Sequence, residues 1–175
     1  MLDSDYPRLL ARLIAKTTWS ITLPAGQENF FEETGLATSA TIDLRRSGRV
    51  RLRTRALAVP DETLACLTRP KEVIGIYTMD FSRHGFGFVS ERQFFPNERL
   101  RILLPSFWLT VKVVRARYMG PGFFEHGTTL VRRSDPSINA FQGISLNSSQ
   151  TTAALSIPAE QGTALDTLSN TTTIK

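Results

Sequence analysis

The chain has 175 residues, 41% of them hydrophobic and 21% charged, which is enough apolar material for one folded domain with extensions and too little charge for a wholly disordered chain. Its formal net charge of +5 biases it toward anionic partners such as phosphates, nucleic acid or acidic headgroups. One cysteine, Cys66, excludes an intrachain disulfide and a cysteine-rich zinc site.

The first segment is expected to be helical. Asp5 is placed as an N-cap, Pro7 falls in the first turn where its missing N–H is harmless, and Tyr6, Leu9, Leu10, Leu13 and Ile14 recur at helical spacing. The apolar face is expected to dock on the rest of the domain, with a partner chain as the other candidate. The run is interrupted by Arg12 and too short to span a bilayer, and no secretory signal pattern precedes it. Together with the single thiol, this predicts a cytoplasmic protein without membrane insertion. Pro24, Gly26 and Gly35 mark a looser stretch up to Asp43, in which Phe30 and Phe31 retain the means to pack.

From residue 44 to 133 the pattern changes to short β-like runs separated by turn residues. Val50 and Leu52 alternate with Arg49, Arg51 and Arg53, and the arginines at 51, 53 and 55 suit a solvated strand face. Further strands are expected over 73–79, 86–89, 100–104, 109–113 and about 123–131. The alternation slips near Val114, the signature of a bulge, and Gly120-Pro121-Gly122 suits a hairpin connection. Six short strands without an intervening helix predict a mainly β protein built on a small antiparallel barrel. After Ser134 the chain becomes rich in Ser, Thr, Asn and Gln. Such a segment buries too little apolar surface to offset the entropy of ordering it, so 134–175 is expected to be a disordered tail with a short ordered start near 136–141. The expected organisation is an N-terminal extension 1–43, a barrel 44–133 and this tail.

Two segments carry the chemistry. Arg45-Arg46-Ser47-Gly48-Arg49 leads directly into a strand, and Asp80-Phe81-Ser82-Arg83-His84-Gly85 joins one strand to the next. Arginine presents a planar fork of donors that pairs with phosphate or with O6 and N7 of guanine. An ionised Asp80 accepts from the N1–H and N2–H₂ edge of guanine, and Ser82 both donates and accepts. Gly85 permits positive φ in the turn and close approach of a ligand to the backbone. An Asp-x-Ser turn is also a common way simply to close a hairpin.

In this order and on this strand pattern, the two segments resemble the signatures of the PilZ family, RxxxR before the first barrel strand and [D/N]xSxxG further on. Arg45 and Arg49 match the first; Asp80, Ser82 and Gly85 match the second in full. Gly127 stands where the family often has a glycine. The resemblance covers roughly 44–133. It implies a six-stranded barrel that binds cyclic di-GMP, with Arg45 and Arg49 as a clamp, Arg46 as an added phosphate contact, and Asp80, Ser82 and Gly85 as a platform. Arg49 and Arg53 share the same spacing, so the register of the first signature has an alternative.

The expected function is a non-enzymatic sensor that relays cyclic di-GMP binding to a partner protein through ordering of the RxxxR loop. Two other readings stay open: a basic barrel that binds nucleic acid, with Phe86 and Phe88 as candidate stackers, and a PilZ-like protein–protein module without ligand. The primary reading includes no nucleic acid, cofactor or metal. His84 and His126 are the only histidines, and Asp80, Ser82 and His84 lie too close in sequence for a hydrolase triad.

Overall fold

A computed structural model describes residues 5–33, 35–36, 48–67 and 69–144. The elements in chain order are helix α1 (Asp5–Lys16) and strands β1 (Gly35–Leu36), β2 (Arg49–Arg51), β3 (Arg55–Glu62), β4 (Ile74–Ser82), β5 (Gly85–Ser90), β6 (Arg99–Leu104), β7 (Phe107–Gly120) and β8 (Phe123–Ser134), followed by a 3₁₀ turn, Ile138–Phe141. The protein is mainly β. Strands run antiparallel in the order β1-β2-β4-β3-β6-β7-β8-β5, and pairing of β4 with β5 closes six of them, β3 to β8, into a barrel. The two shortest strands, β1 and β2, extend the sheet from β4 outside the ring.

The interior of a barrel this small is filled by side chains. Ile76, Phe86, Phe88, Leu100, Ile102, Leu109, Val111 and Val113 fill it, with Phe94 from the β5–β6 connection. Each such side chain contributes about 1.5–3 kcal/mol on burial.

The N-terminal extension covers the outside of the barrel. Tyr6, Leu10 and Leu13 recur on one face of α1 and pack over Leu57, Val59 and Leu103 together with Ala140 and Phe141. The Tyr6 hydroxyl donates to the carbonyl of Leu104 at 2.7 Å. Beyond the helix, Ile21 and Phe30 lie against Tyr77, Val89 and Phe123. Trp19 stacks on Tyr77 with ring centroids 5.9 Å apart, and it needs Gly75 there, where any Cβ would stand 2.9 Å from the indole.

This covering explains the barrel strand that the sequence pattern hid. The alternating run after Arg49 is β2, outside the ring, and the barrel strand is the following segment, Arg55–Glu62. Its Ala56 and Ala58 face the barrel interior while Leu57 and Val59 face α1. A strand buried on both faces has no alternation to detect. Pro60 also sits within it, tolerated beside a register shift between Pro60 and Glu62.

Of the arginines expected to be solvated, Arg51 and Arg53 are engaged by the extension, while Arg55 stays exposed. Arg51 and Arg53 both pair with Glu33, at 3.0 and 3.2 Å. The Arg53 guanidinium lies 4.1 Å from the Phe30 ring centroid, and that of Arg55 lies 5.3 Å from Trp19. At the other end, nearly buried Arg101 pairs with Asp61 and donates to the carbonyls of Ala140 and Gln142 at 2.7 and 3.0 Å. It thereby ties the 3₁₀ turn to the barrel, the ordered start expected near 136–141. The rest of the expected tail, 145–175, lies outside the described residues.

Candidate functional site

The site is built by two bulges. Along β4 the side chains of Ile74 and Ile76 enter the barrel core, and Thr78 is fully buried. Strict alternation would send Asp80 inward as well. The register shifts between Thr78 and Asp80, with Met79 as the extra residue. Asp80 therefore turns outward opposite Gly87, while Phe81 returns to the core. The same device acts in β7. Val113 is buried inside, and the shift between Val113 and Arg115 makes Val114 the extra residue and places Arg115 outside, opposite Gly127. A bulge inserts one residue and resets the facing of everything beyond it. The slip expected near Val114 is this second bulge.

Asp80, Ser82 and Gly85 meet around the tight β4–β5 connection. The Ser82 hydroxyl accepts the Gly85 N–H at 3.0 Å and so closes the turn around Arg83 and His84. Gly85 does not adopt positive φ. A glycine there avoids crowding, since a Cβ would stand 3.2 Å from the Thr128 carbonyl oxygen and 3.4 Å from the Ser82 hydroxyl. Arg49 pairs opposite Ser82 in the register of β2 and β4. Its guanidinium bends to Asp80 and donates at 2.7 Å.

These four residues line one open cavity of about 380 Å³, with Arg115 and Gly127 on the opposite side. Its size falls in the range of small-molecule sites, roughly 300–1,000 Å³. Arg53, the alternative member of the first signature, is not among the lining residues; it lies against Phe30 and Glu33. Arg45 and Arg46 lie outside the described residues. His84 is exposed at the rim. The sequence pattern alone did not single out Gly87, Arg115 or Glu125 as part of this site. The Gly-Phe-Gly-Phe run was the available signal, since it puts two phenylalanines in the core and leaves no side chain on the outer face.

The wall behind the cavity is closely packed. His126 is buried and stacks on Phe88, with centroids 4.7 Å apart. Its Nε2 accepts the backbone N–H of Phe94 at 3.0 Å. The ring is held neutral: burial pushes its pKa down to about 4, with Arg69 adding to the depression and a hydrogen bond to the Phe124 backbone opposing it. Phe86 and Phe88 are buried in the barrel and present no stacking face to solvent.

Among the described residues, no group of three or more His, Cys, Asp or Glu side chains could hold a metal ion, and no helix is long and apolar enough to cross a membrane. No protein-family model matches the chain, and a search of curated proteins finds no match. The arrangement offers an arginine fork, a carboxylate acceptor, a hydroxyl and a glycine floor around one cavity, a set of groups suited to a ligand with both a purine edge and an anionic part.

Proposed function

We propose that this protein is a PilZ-type receptor for cyclic di-GMP, acting in the cytoplasm without catalysis and passing the binding signal to a partner protein. The observation that carries the reading is the meeting of Arg49, Asp80, Ser82 and Gly85 around a single cavity, although Arg49 and Asp80 are 31 residues apart in the chain. On this reading Asp80 accepts from the N1–H and N2–H₂ groups of one guanine. Arg49, with Arg45 and Arg46 from the preceding segment, holds phosphate and the second base. The absence of Arg53 from the cavity supports the register that uses Arg45 and Arg49.

The burial of Phe86 and Phe88 removes the stacking platform that a nucleic-acid-binding barrel would need at this face. Ligand binding changes the partner interaction only by its differential affinity for the two states of the receptor.

Isothermal titration of the full chain with cyclic di-GMP in moderate salt tests the proposal. Saturable binding is expected, with Arg49→Ala and Asp80→Ala each weakening it sharply. Absence of binding at high micromolar ligand, or equal binding to unrelated oligonucleotides, would overturn it.

A further inference from the structure

The strand register lays out a straight row across the cavity. Asp80 of β4 pairs with Gly87 of β5, Gly87 pairs with Gly127 of β8, and Gly127 pairs with Arg115 of β7. Two adjacent glycines therefore form the floor, with a carboxylate at one end and a guanidinium at the other. Both end groups lean inward over the glycine beside them. A Cβ on Gly87 would collide with the Asp80 carboxylate, and one on Gly127 would stand 2.7 Å from Nε of Arg115 and 3.0 Å from its Cγ. By interstrand spacing, the Cα atoms of the two ends lie about 14 Å apart along the sheet. A flat heterocycle fits between them only when both side chains swing back toward their own strands and uncover the glycines.

Arg115 is poorly occupied by the protein itself. Its ion pair to Glu125 is long at 3.7 Å, and its side chain is 63% exposed. Exposed pairs of this kind contribute little. The bulge at Val114 turns the guanidinium outward, and Gly127, having no side chain, leaves it room over the sheet.

We infer that Arg115 is a further ligand-contact residue of this site, reading the O6/N7 edge of a guanine that rests on Gly87 and Gly127 while Asp80 takes its N1–H and N2–H₂ edge. The inference rests on the cyclic di-GMP reading. Under it, the end-to-end pairing of a donor fork and an acceptor selects guanine over adenine, because adenine carries a donor at position 6 where guanine carries an acceptor. Lysine would supply the charge without the fork.

The test is isothermal titration of the full-length wild type, Arg115→Ala, Arg115→Lys and Gly127→Ala with cyclic di-GMP and, in parallel, cyclic di-AMP. Arg115→Ala is expected to weaken cyclic di-GMP binding on the order of tenfold to a hundredfold, as for loss of one bidentate base contact, and to erode the preference over cyclic di-AMP. Arg115→Lys should recover little of either. Gly127→Ala keeps the arginine but pushes it off the floor, and should weaken binding in the same sense. If the wild type binds cyclic di-GMP and Arg115→Ala binds it equally well, the inference fails while the receptor reading stands. Full recovery in Arg115→Lys would reduce the residue to a bare charge and overturn edge recognition. If the wild type binds no cyclic di-GMP, both readings fall together.

Discussion

The guanidinium of Arg49 and the carboxylate of Asp80 are bonded to each other at 2.7 Å, with their side chains 31% and 22% exposed. The two sequence segments thus meet directly in the folded chain. On the proposed reading, a guanine edge arriving at Asp80 competes with, or shares, the Arg49 contact. A half-exposed pair of this kind is cheap to rearrange, since such bridges are worth about 0–1 kcal/mol. The pair therefore orients both groups at the cavity without locking them.

Asp80→Asn separates the two roles of that carboxylate. The substitution removes the charge partner of Arg49 and leaves one acceptor oxygen in place of two. Unfolding in urea should shift by no more than about 1 kcal/mol, because the bridge is partly exposed. Affinity for cyclic di-GMP should fall by at least tenfold, as expected for loss of a charge-assisted hydrogen bond worth about 1.5–3 kcal/mol. A variant that binds as tightly as the wild type would mean that one neutral acceptor at residue 80 suffices for the ligand.

His126 makes stability depend on pH. Its pKa is about 4 in the folded protein against an ordinary value of 6.5, so the unfolded chain binds more protons between those two values. The stabilisation is complete above pH 6.5 and is lost as pH falls toward 4, a loss of about 3 kcal/mol by linkage. Urea titrations from pH 7.5 to pH 4 should show this slope on top of that from the carboxylates. His126→Phe keeps a ring against Phe88 but leaves the Phe94 N–H without its acceptor, so it should be less stable at neutral pH and show a shallower decline on acidification. Equal slopes in the two proteins would refute the assignment.

Tyr6 anchors α1 to the barrel. It is fully buried, its hydroxyl donates to Leu104, and its ring lies 5.2 Å from that of Phe141. Tyr6→Phe should cost about 1 kcal/mol, the usual net value of one hydrogen bond. Tyr6→Ala should cost about 3–5 kcal/mol, as for other large aromatic truncations. Thermal or urea denaturation reads both, and a negligible cost for the alanine variant would show that the helix does not contribute to the stability of the barrel.

Much of the architecture was legible in the sequence because it rests on local pattern. The period of Tyr6, Leu10 and Leu13 marks α1, the alternation in Leu100 to Leu104 and Leu109 to Val113 marks β6 and β7, and Pro121-Gly122 marks the turn between β7 and β8, where Gly122 has φ of 67°. The barrel strand Arg55–Glu62 was not legible, because it is covered by the interior on one face and by α1 on the other. The arginines at 51 and 53 looked like a solvated face because their partners, Glu33 and Phe30, are distant in sequence.

The opposition is sharpest at the site. The sequence by itself determined which residue types are available there: the Arg49 fork, the Asp80 carboxylate, the Ser82 hydroxyl and the glycine at 85, with residue types and spacings that resemble known signatures. It determined the slip at Val114 but not its consequence. Only the tertiary structure decided that Asp80 and Arg115 face outward over a floor of Gly87 and Gly127. Facing along a strand is a matter of parity, so one bulged residue at Met79 and another at Val114 reverse it. Which side chains then share a row depends on the register of four strands drawn from separate parts of the chain, a long-range pairing that no local spacing records.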